Sequence, residues 1–435
     1  MRMSKKKLVP RLRFPEFRDS GKWEERKLGK LGTTYTGLSG KTKEDFGRGN
    51  ARFITYLNVF NNPFANTTAV GKVEIDSKQN EVKYGDILFT TSSETPEEVG
   101  MSSVWLHTAE NIYLNSFCFG FRLSAEVSPY YMAFMLRSPA VRAKITLLSQ
   151  GISRYNISKI KLMEIAVPLP LFSEQQKIAD CLSSLDDLIA AENKKLEALR
   201  AHKKGLMQKL FPAEGQTVPE WRFPGFNSNW QLTTFNKIFE FHQTNSFSRS
   251  EMNSENGKVK NIHYGDILTK YGYVIYDTSV IPYINESVDL AKYRDNSYLK
   301  NGDIIIADTA EDLTAGKAVE IQNVNCKILA GMHTMLCRPQ NTTAPSFFGY
   351  FLNSPVYHNS IKPLLVGTKV FSISKSSISK TKIVTPELSE QQKISDCLSS
   401  IDDQISAQKE KTETLKLHKK GLMQGLFPPA QEITA

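Results

Sequence analysis

The most regular alternation of apolar and polar positions lies in residues 173–212 and returns in 389–428. With Ile178 at heptad position d, the core slots fall on Ile178, Leu182, Leu185, Ile189, Glu192, Leu196, Leu199, Lys203, Leu206 and Leu210, apolar in eight of ten. The second segment gives Ile394, Leu398, Ile401, Ile405, Gln408, Thr412, Leu415, Lys419, Leu422 and Leu426, apolar in seven. Apolar residues recurring every 3.5 positions over five heptads predict a coiled coil. Ser173 with Gln176 and Ser389 with Gln392 have the spacing of a capping box, just after Pro170 and Pro386, and mark the predicted helix starts. Each segment ends at Phe-Pro. A helix from 173 to 210 would be about 57 Å long.

The two segments are copies, identical at 28 of 40 positions. The duplication reaches upstream. Phe14-Pro-Glu-Phe17 is echoed by Phe223-Pro-Gly-Phe226, Gly85-Asp86-Ile87 by Gly302-Asp303-Ile304, Gly151 by Gly367, and Ile157-Ser158-Lys159 by Ile373-Ser374-Lys375. Between these anchors, notably over 33–84 and 240–300, the halves differ. Four parts follow: a globular domain at 10–170, a helix at 171–212, a second globular domain at 213–386 and a second helix at 387–428. The intervening domain should be about 40 Å across, too small to return the chain along the whole rod. An antiparallel helix pair is therefore expected, related by a pseudo-two-fold axis, with one globular domain at each end. Within the domains, short apolar runs at 85–91, 117–123, 302–308 and 333–339 are bounded by Gly, Asn and Pro and predict strands. A helix is expected over 129–149 and over its counterpart 345–362. The fold class is α+β, with two strand-rich domains and a coiled coil.

Charge and candidate chemistry narrow the function. The 435-residue chain carries a formal +10, but residues 1–30 alone hold 11 Lys/Arg against 4 Asp/Glu, leaving the rest near neutral. Such a distribution suits a polyanionic partner met through local patches. The five cysteines form no CxxC pair and no histidine has ligand spacing, so buried free thiols and no metal are expected. No leader and no apolar run long enough to span a bilayer is evident, and a cytoplasmic chain is expected. Tyr35-Thr-Gly-Leu-Ser-Gly-Lys-Thr42 has the tail of a P-loop, but Tyr35 stands where its first Gly belongs. Asn61-Asn-Pro-Phe64 lacks one proline of the adenine methyltransferase NPPF motif and is expected to be a turn.

What remains suits recognition. Lys41, Lys43, Arg48, Arg52, Tyr56 and Asn58 in the first domain, and Asn245, Arg249, Lys258, Lys260, His263, Lys270 and Tyr271 in the second, are side chains able to hold phosphates or read base edges. The strongest candidates lie in two matched loops, GISRYN (151–156) and GTKVFS (367–372). Both keep the Gly and the following Ile-Ser-Lys, yet differ at Arg154-Tyr155 against Val370-Phe371. Arg154, Tyr155, Asn156, Lys369 and Phe371 are thus the leading DNA-contact candidates.

Two dissimilar domains, each followed by a near-identical helix opening on Ser-Glu-Gln-Gln-Lys-Ile, closely resemble the specificity subunit of type I restriction-modification systems over the full length. The most specific matches are Pro170 to Ile178 and Pro386 to Ile394, the two Gly-Asp-Ile strands, and the two Gly-x(5)-Ile-Ser loops. The resemblance implies that each domain reads one half of a bipartite target in double-stranded DNA, and that the helices set the gap. It also implies two modification subunits carrying S-adenosylmethionine and two restriction subunits carrying ATP and Mg. Together these would form a site-specific DNA methyltransferase and ATP-dependent endonuclease in which this chain is non-catalytic and binds no cofactor itself. A self-contained adenine methyltransferase with fused recognition domains, and a pure coiled-coil scaffold, are the alternatives. The first lacks a cofactor loop, and the second leaves the diversified domains without a purpose.

Overall fold

The computed structural model describes residues 8–429 and divides into two compact units, Met1–Asn193 with Lys411–Ala435, and Lys194–Glu410. The division differs from the four-part scheme above. Each unit takes one globular domain, the start of the long helix that follows it in sequence, and the end of the other long helix.

Both domains carry the same five-stranded sheet. In the first unit its order is Gly32–Thr36, Cys118–Leu123, Ile87–Thr90, Ser102–Trp105 and Phe64–Ala65; in the second it is Phe239–His242, Thr334–Pro339, Ile304–Ala307, Ala318–Ile321 and Val274–Ile275. The first three pairings are antiparallel and the last parallel in both. All four apolar runs singled out in the sequence lie in this sheet, and their centres are buried on both faces. The repeated Gly-Asp-Ile is the turn that starts its central strand. Gly85 and Gly302 both have φ 85°, which a side chain rarely adopts. The next residues, Asp86 and Asp303, accept two bonds each from Arg122 (2.9 and 2.6 Å) and Arg338 (2.8 and 2.7 Å), which locks the turn to the neighbouring strand.

The helix expected over 129–149 is two, Pro129–Met135 and Pro139–Thr146, and its counterpart is likewise split into Phe347–Leu352 and Pro355–Ile361. Pro139 and Pro355 lack an N–H, and each forces the preceding serine into extended geometry, so a new helix starts there. In the second domain Glu320, 2% exposed, accepts the amides of Ser346 (2.5 Å) and Gly349 (2.9 Å) at the helix that begins there, and burial pushes its carboxyl up to about 7. The first domain has Val104 in the corresponding strand.

The long helices run Phe172–Lys209 and Leu388–Leu426. Every heptad slot predicted from the sequence is buried or half-buried, including Leu185, Ile189, Leu199, Ile405 and Leu415, which are half-buried. Three of the five polar slots, Glu192, Lys203 and Lys419, are explained by charge pairing. In the first unit Lys419 bonds Asp186 and Lys411 bonds Glu192 (2.5 Å), so advancing along one helix means retreating along the other: the pairing is antiparallel. In the second unit Lys203 bonds both oxygens of Asp402 (2.6 and 2.7 Å) between the rings of Tyr273 and Tyr350. Burial lowers the Lys203 pKa and Asp402 opposes that shift.

The helix starts correct the capping-box reading. Ser173 and Ser389 lie inside their helices, and Gln176 and Gln392 bond Asp180 and Asp396 one turn on. The neighbouring residues are the anchors. Gln175 donates to Pro170 O and accepts from Ser128 N, and Gln391 does the same with Pro386 O and Ala344 N. Glu174 takes Arg13 (2.8 and 2.7 Å) and Trp23 Nε1 (3.2 Å); Glu390 takes Arg222 (2.8 and 2.7 Å). The duplicated Arg-Phe-Pro of residues 13–15 and 222–224 is thus half of a clamp fixing each helix start to its own domain. In the second unit a bond from Trp221 N to Lys209 O closes the chain leaving the helix onto the domain it enters. The first unit makes the equivalent bond between distant segments, from Leu12 N to Gly425 O.

Candidate nucleic-acid interface

The matched loops are the tips of β-hairpins built on the same frame. In the first domain Ser149–Gln150 pairs with Tyr155–Ile157, which pairs in turn with Ser92–Ser93. In the second, Phe371–Ser372 pairs with Thr309–Ala310, and Ser372 exchanges both backbone bonds with Val366. The glycines are required by the turn. At Gly151 (φ 139°) a Cβ would lie 2.1 Å from Arg154 O, and at Gly367 (φ 137°) 1.9 Å from Val370 O. The frame admits one backbone path, whichever side chains fill the tip.

The tips differ. Arg154 is exposed; its Nη2 donates to Ser92 Oγ at 3.3 Å and its guanidinium lies 5.6 Å from the ring centroid of Phe117. Phe117, which the sequence reading did not single out, is 54% exposed although its carbonyl accepts both Thr91 N and Thr91 Oγ1. Its signal was an aromatic at the very start of a strand run. Tyr56 donates to Ser92 O (2.6 Å), so it borders the same group; Asn156 is exposed and Tyr155 half-buried. An arginine held over an aromatic ring, beside an amide and a phenol, can donate to phosphate or guanine and stack on a base. In the second domain Lys369 and Val370 are exposed and Phe371 is half-buried.

The wider candidates separate by burial. Lys43, Arg48 and Lys258 are exposed, and half-buried Arg52 bonds Ala51 O. Lys41 is engaged with Asp76 (2.8 Å) and holds that carboxyl down to about 2. Three expectations are corrected. Asn58 is fully buried and its amide is spent on Asn66 O, Ala69 O, Asn66 N and Asn62, fastening its own loop. Lys260, 6% exposed, donates to Thr278 O and lies over the Tyr283 ring. His263 is buried and accepts Gly265 N at a helix start, its pKa lowered by burial and by Arg249. In all three the side chain serves its own domain: the Asn58 amide its loop, the Lys260 ammonium Thr278 O and His263 Nδ1 the helix start. Nearby, Asn245 and Tyr271 are buried, Arg249 forks onto Asp266, and Lys270 bonds Val280 O.

The remaining chemical expectations concern cysteines, motifs and metals. Cys118 and Cys337 are buried, but Cys326 is exposed, contrary to expectation. Tyr35 of the P-loop-like run donates to Asp86, and Phe64 of Asn-Asn-Pro-Phe packs on Phe134 and Tyr130. Among the described residues no group of His, Cys, Asp and Glu could hold a metal, and no helix is long and apolar enough to cross a membrane.

The fold is shared with solved structures. The type I restriction-modification S subunit from M. genitalium matches with a TM-score of 0.54 at 17% identity, over 98% of this chain and all of that one. A chain from a structure of type I restriction-modification complex assembly matches with a TM-score of 0.59 at 16% identity, over 93% of this chain and 97% of that one. Among relatives by sequence, the putative type I restriction enzyme MjaX specificity subunit of Methanocaldococcus jannaschii is 25% identical over 389 residues, 85% of each chain. The MjaVIII specificity subunit of the same organism is 27% identical over 296 residues, 63% of this chain and 64% of that one. The type I restriction modification DNA specificity domain matches twice, at residues 20–201 and 227–417, each match taking in one clamped domain and most of the helix after it, and by this double match the chain belongs to that family.

Proposed function

We propose that each globular domain reads one half of a bipartite DNA target through its hairpin tip, and that the antiparallel helices set the distance between the halves. The observation that carries this reading is a sheet repeated strand for strand beneath tips that differ, Arg154-Tyr155 against Val370-Phe371. A constant frame with exchangeable tips gives two independent readers, as unlike half-sites require. The copied helix surfaces offer equivalent docking faces to two copies of one modification subunit. Methyl transfer from S-adenosylmethionine, and ATP- and Mg-dependent cleavage by restriction subunits, then belong to those partners in the cytoplasm. This chain contributes the address.

The test is a domain exchange. Residues 20–170 are replaced by the corresponding domain of another specificity subunit, the chain is expressed with its modification partner, and the host methylome is sequenced. One half of the target should change while the other half and the gap persist; joint change of both halves overturns the reading. Methyl transfer by the homogeneous chain alone would refute the division of labour.

A further inference from the structure

The outermost residue of the first hairpin is not polar. Ile152 is 94% exposed, at the tip of a turn whose path is fixed by Gly151. Its neighbours in the turn are Gly151, Ser153 and Arg154, so it is a single aliphatic on a polar rim. A protein partner would meet a contiguous apolar patch. An isolated aliphatic beside a guanidinium and an exposed aromatic instead matches the way proteins part a base step, where an apolar wedge unstacks two base pairs while neighbouring cations hold the backbone. Arg154, steadied by Ser92 and Phe117, supplies such a cation, and Asn156 an exposed amide one pairing away. In the second hairpin the position matching Ile152 is Thr368, and the exposed aliphatic, Val370 at 53%, stands where the first hairpin has Arg154.

We infer that Ile152 is a wedge that enters a base step of the half-site read by the first domain, partly unstacking it so that Arg154 and Asn156 reach their groups. This rests on the recognition role proposed above for the hairpin. The base edges read by neighbouring side chains and the deformability of the parted step would then both contribute to specificity, the latter at a position that makes no hydrogen bond to the protein.

The experiment uses the full chain assembled with its modification subunit and a duplex bearing the methylome-derived target, with 2-aminopurine placed in turn at each step of the first half-site. Wild type should brighten the probe at one step. Ile152→Ala should abolish that signal and weaken specific binding about tenfold, in keeping with the apolar surface it would bury, while nonspecific binding changes little. Ile152→Met should restore both. If Arg154→Ala loses specificity but Ile152→Ala binds normally and the probe never brightens, the wedge is overturned and the recognition role stands. If neither variant affects specific binding, both fail. Wild-type helical signal in the variants excludes misfolding as the cause.

Discussion

Within the second unit Arg222 of the domain forks onto Glu390 of the long helix, and Arg222→Ala is the sharpest probe of what holds the helix to the domain. The Glu390 side chain is 1% exposed and Arg222 supplies two bonds, at 2.8 and 2.7 Å. Removing the arginine strands a buried carboxylate, a change that costs about 3–5 kcal/mol. The first domain is an internal control. Arg13→Ala leaves Glu174 the indole N–H of Trp23 at 3.2 Å, whereas Trp230 Nε1 finds no partner among the described residues. Arg13→Ala should therefore be milder by about 1 kcal/mol, the net worth of one hydrogen bond. The double variant Arg222→Met/Glu390→Met should recover most of the loss, because apolar residues of similar volume replace buried pairs at little cost. Native-state hydrogen exchange on the full chain, read separately in peptides covering 172–189 and 388–405, reports each domain's local opening free energy. A loss below about 1 kcal/mol for Arg222→Ala, or a double variant as damaged as the single, would refute the argument.

Arg154→Ala should weaken binding to the target by about 1–3 kcal/mol more than binding to unrelated DNA if it reads a base edge; equal loss on all sequences, measured by gel shift, would make it a phosphate contact. Glu320 titrates near 7 in the fold against 4.5 as a free group. The folded state thus holds the extra proton between those values, and its stabilisation, full below 4.5, is lost as pH rises through about 7. Wild type should lose about 3 kcal/mol relative to Glu320→Gln between pH 4.5 and 8; parallel pH profiles in urea unfolding would refute this. Inserting one heptad after Leu196 and one after Thr412 preserves the seam and lengthens each helix by about 10 Å. Methylome sequencing should then show the original site lost and any regained site with a longer gap; unchanged spacing in a folded, assembled variant refutes the ruler.

The helices were legible because their signal is local and periodic: heptad slots over 38 and 39 residues leave one choice of face. Two of the polar slots follow that face as well, because Lys203 and Lys419 find carboxylates across the seam. The strand runs were legible for the same reason, but their order was not. Ile87–Thr90 lies between Cys118–Leu123 and Ser102–Trp105, and these long-range pairings have no local signature. The helix starts misled because Ser-Glu-Gln-Gln has capping-box spacing while its Glu and first Gln are buried in the domain. A long-range clue was present, since Arg13 and Arg222 recur with the helices they hold. For the interface, composition could not separate Lys258 from Lys260: one is exposed and the other lies buried on a tyrosine ring. The hairpin tips stand out as candidates because comparing two copies of one frame reveals where variation is tolerated.

The bond from Leu12 to Gly425 (2.8 Å) matches in length and sequence position the bond from Trp221 to Lys209 (2.9 Å), yet only the second is bridged by a short run of chain. The junction between helix end and domain entry is therefore a noncovalent seam, and peptide continuity across it is optional. Gene order and three-dimensional order are thereby decoupled. A frame opened in the 213–216 turn, and closed instead between Phe427 and Leu8 by a comparable linker, would encode the same packed parts in rotated order. Recombination at that turn would exchange the second reader together with Leu426 and Phe427, which pack in the core of the first domain, so the domain left behind keeps its core only if the incoming helix end carries the same duplicated residues.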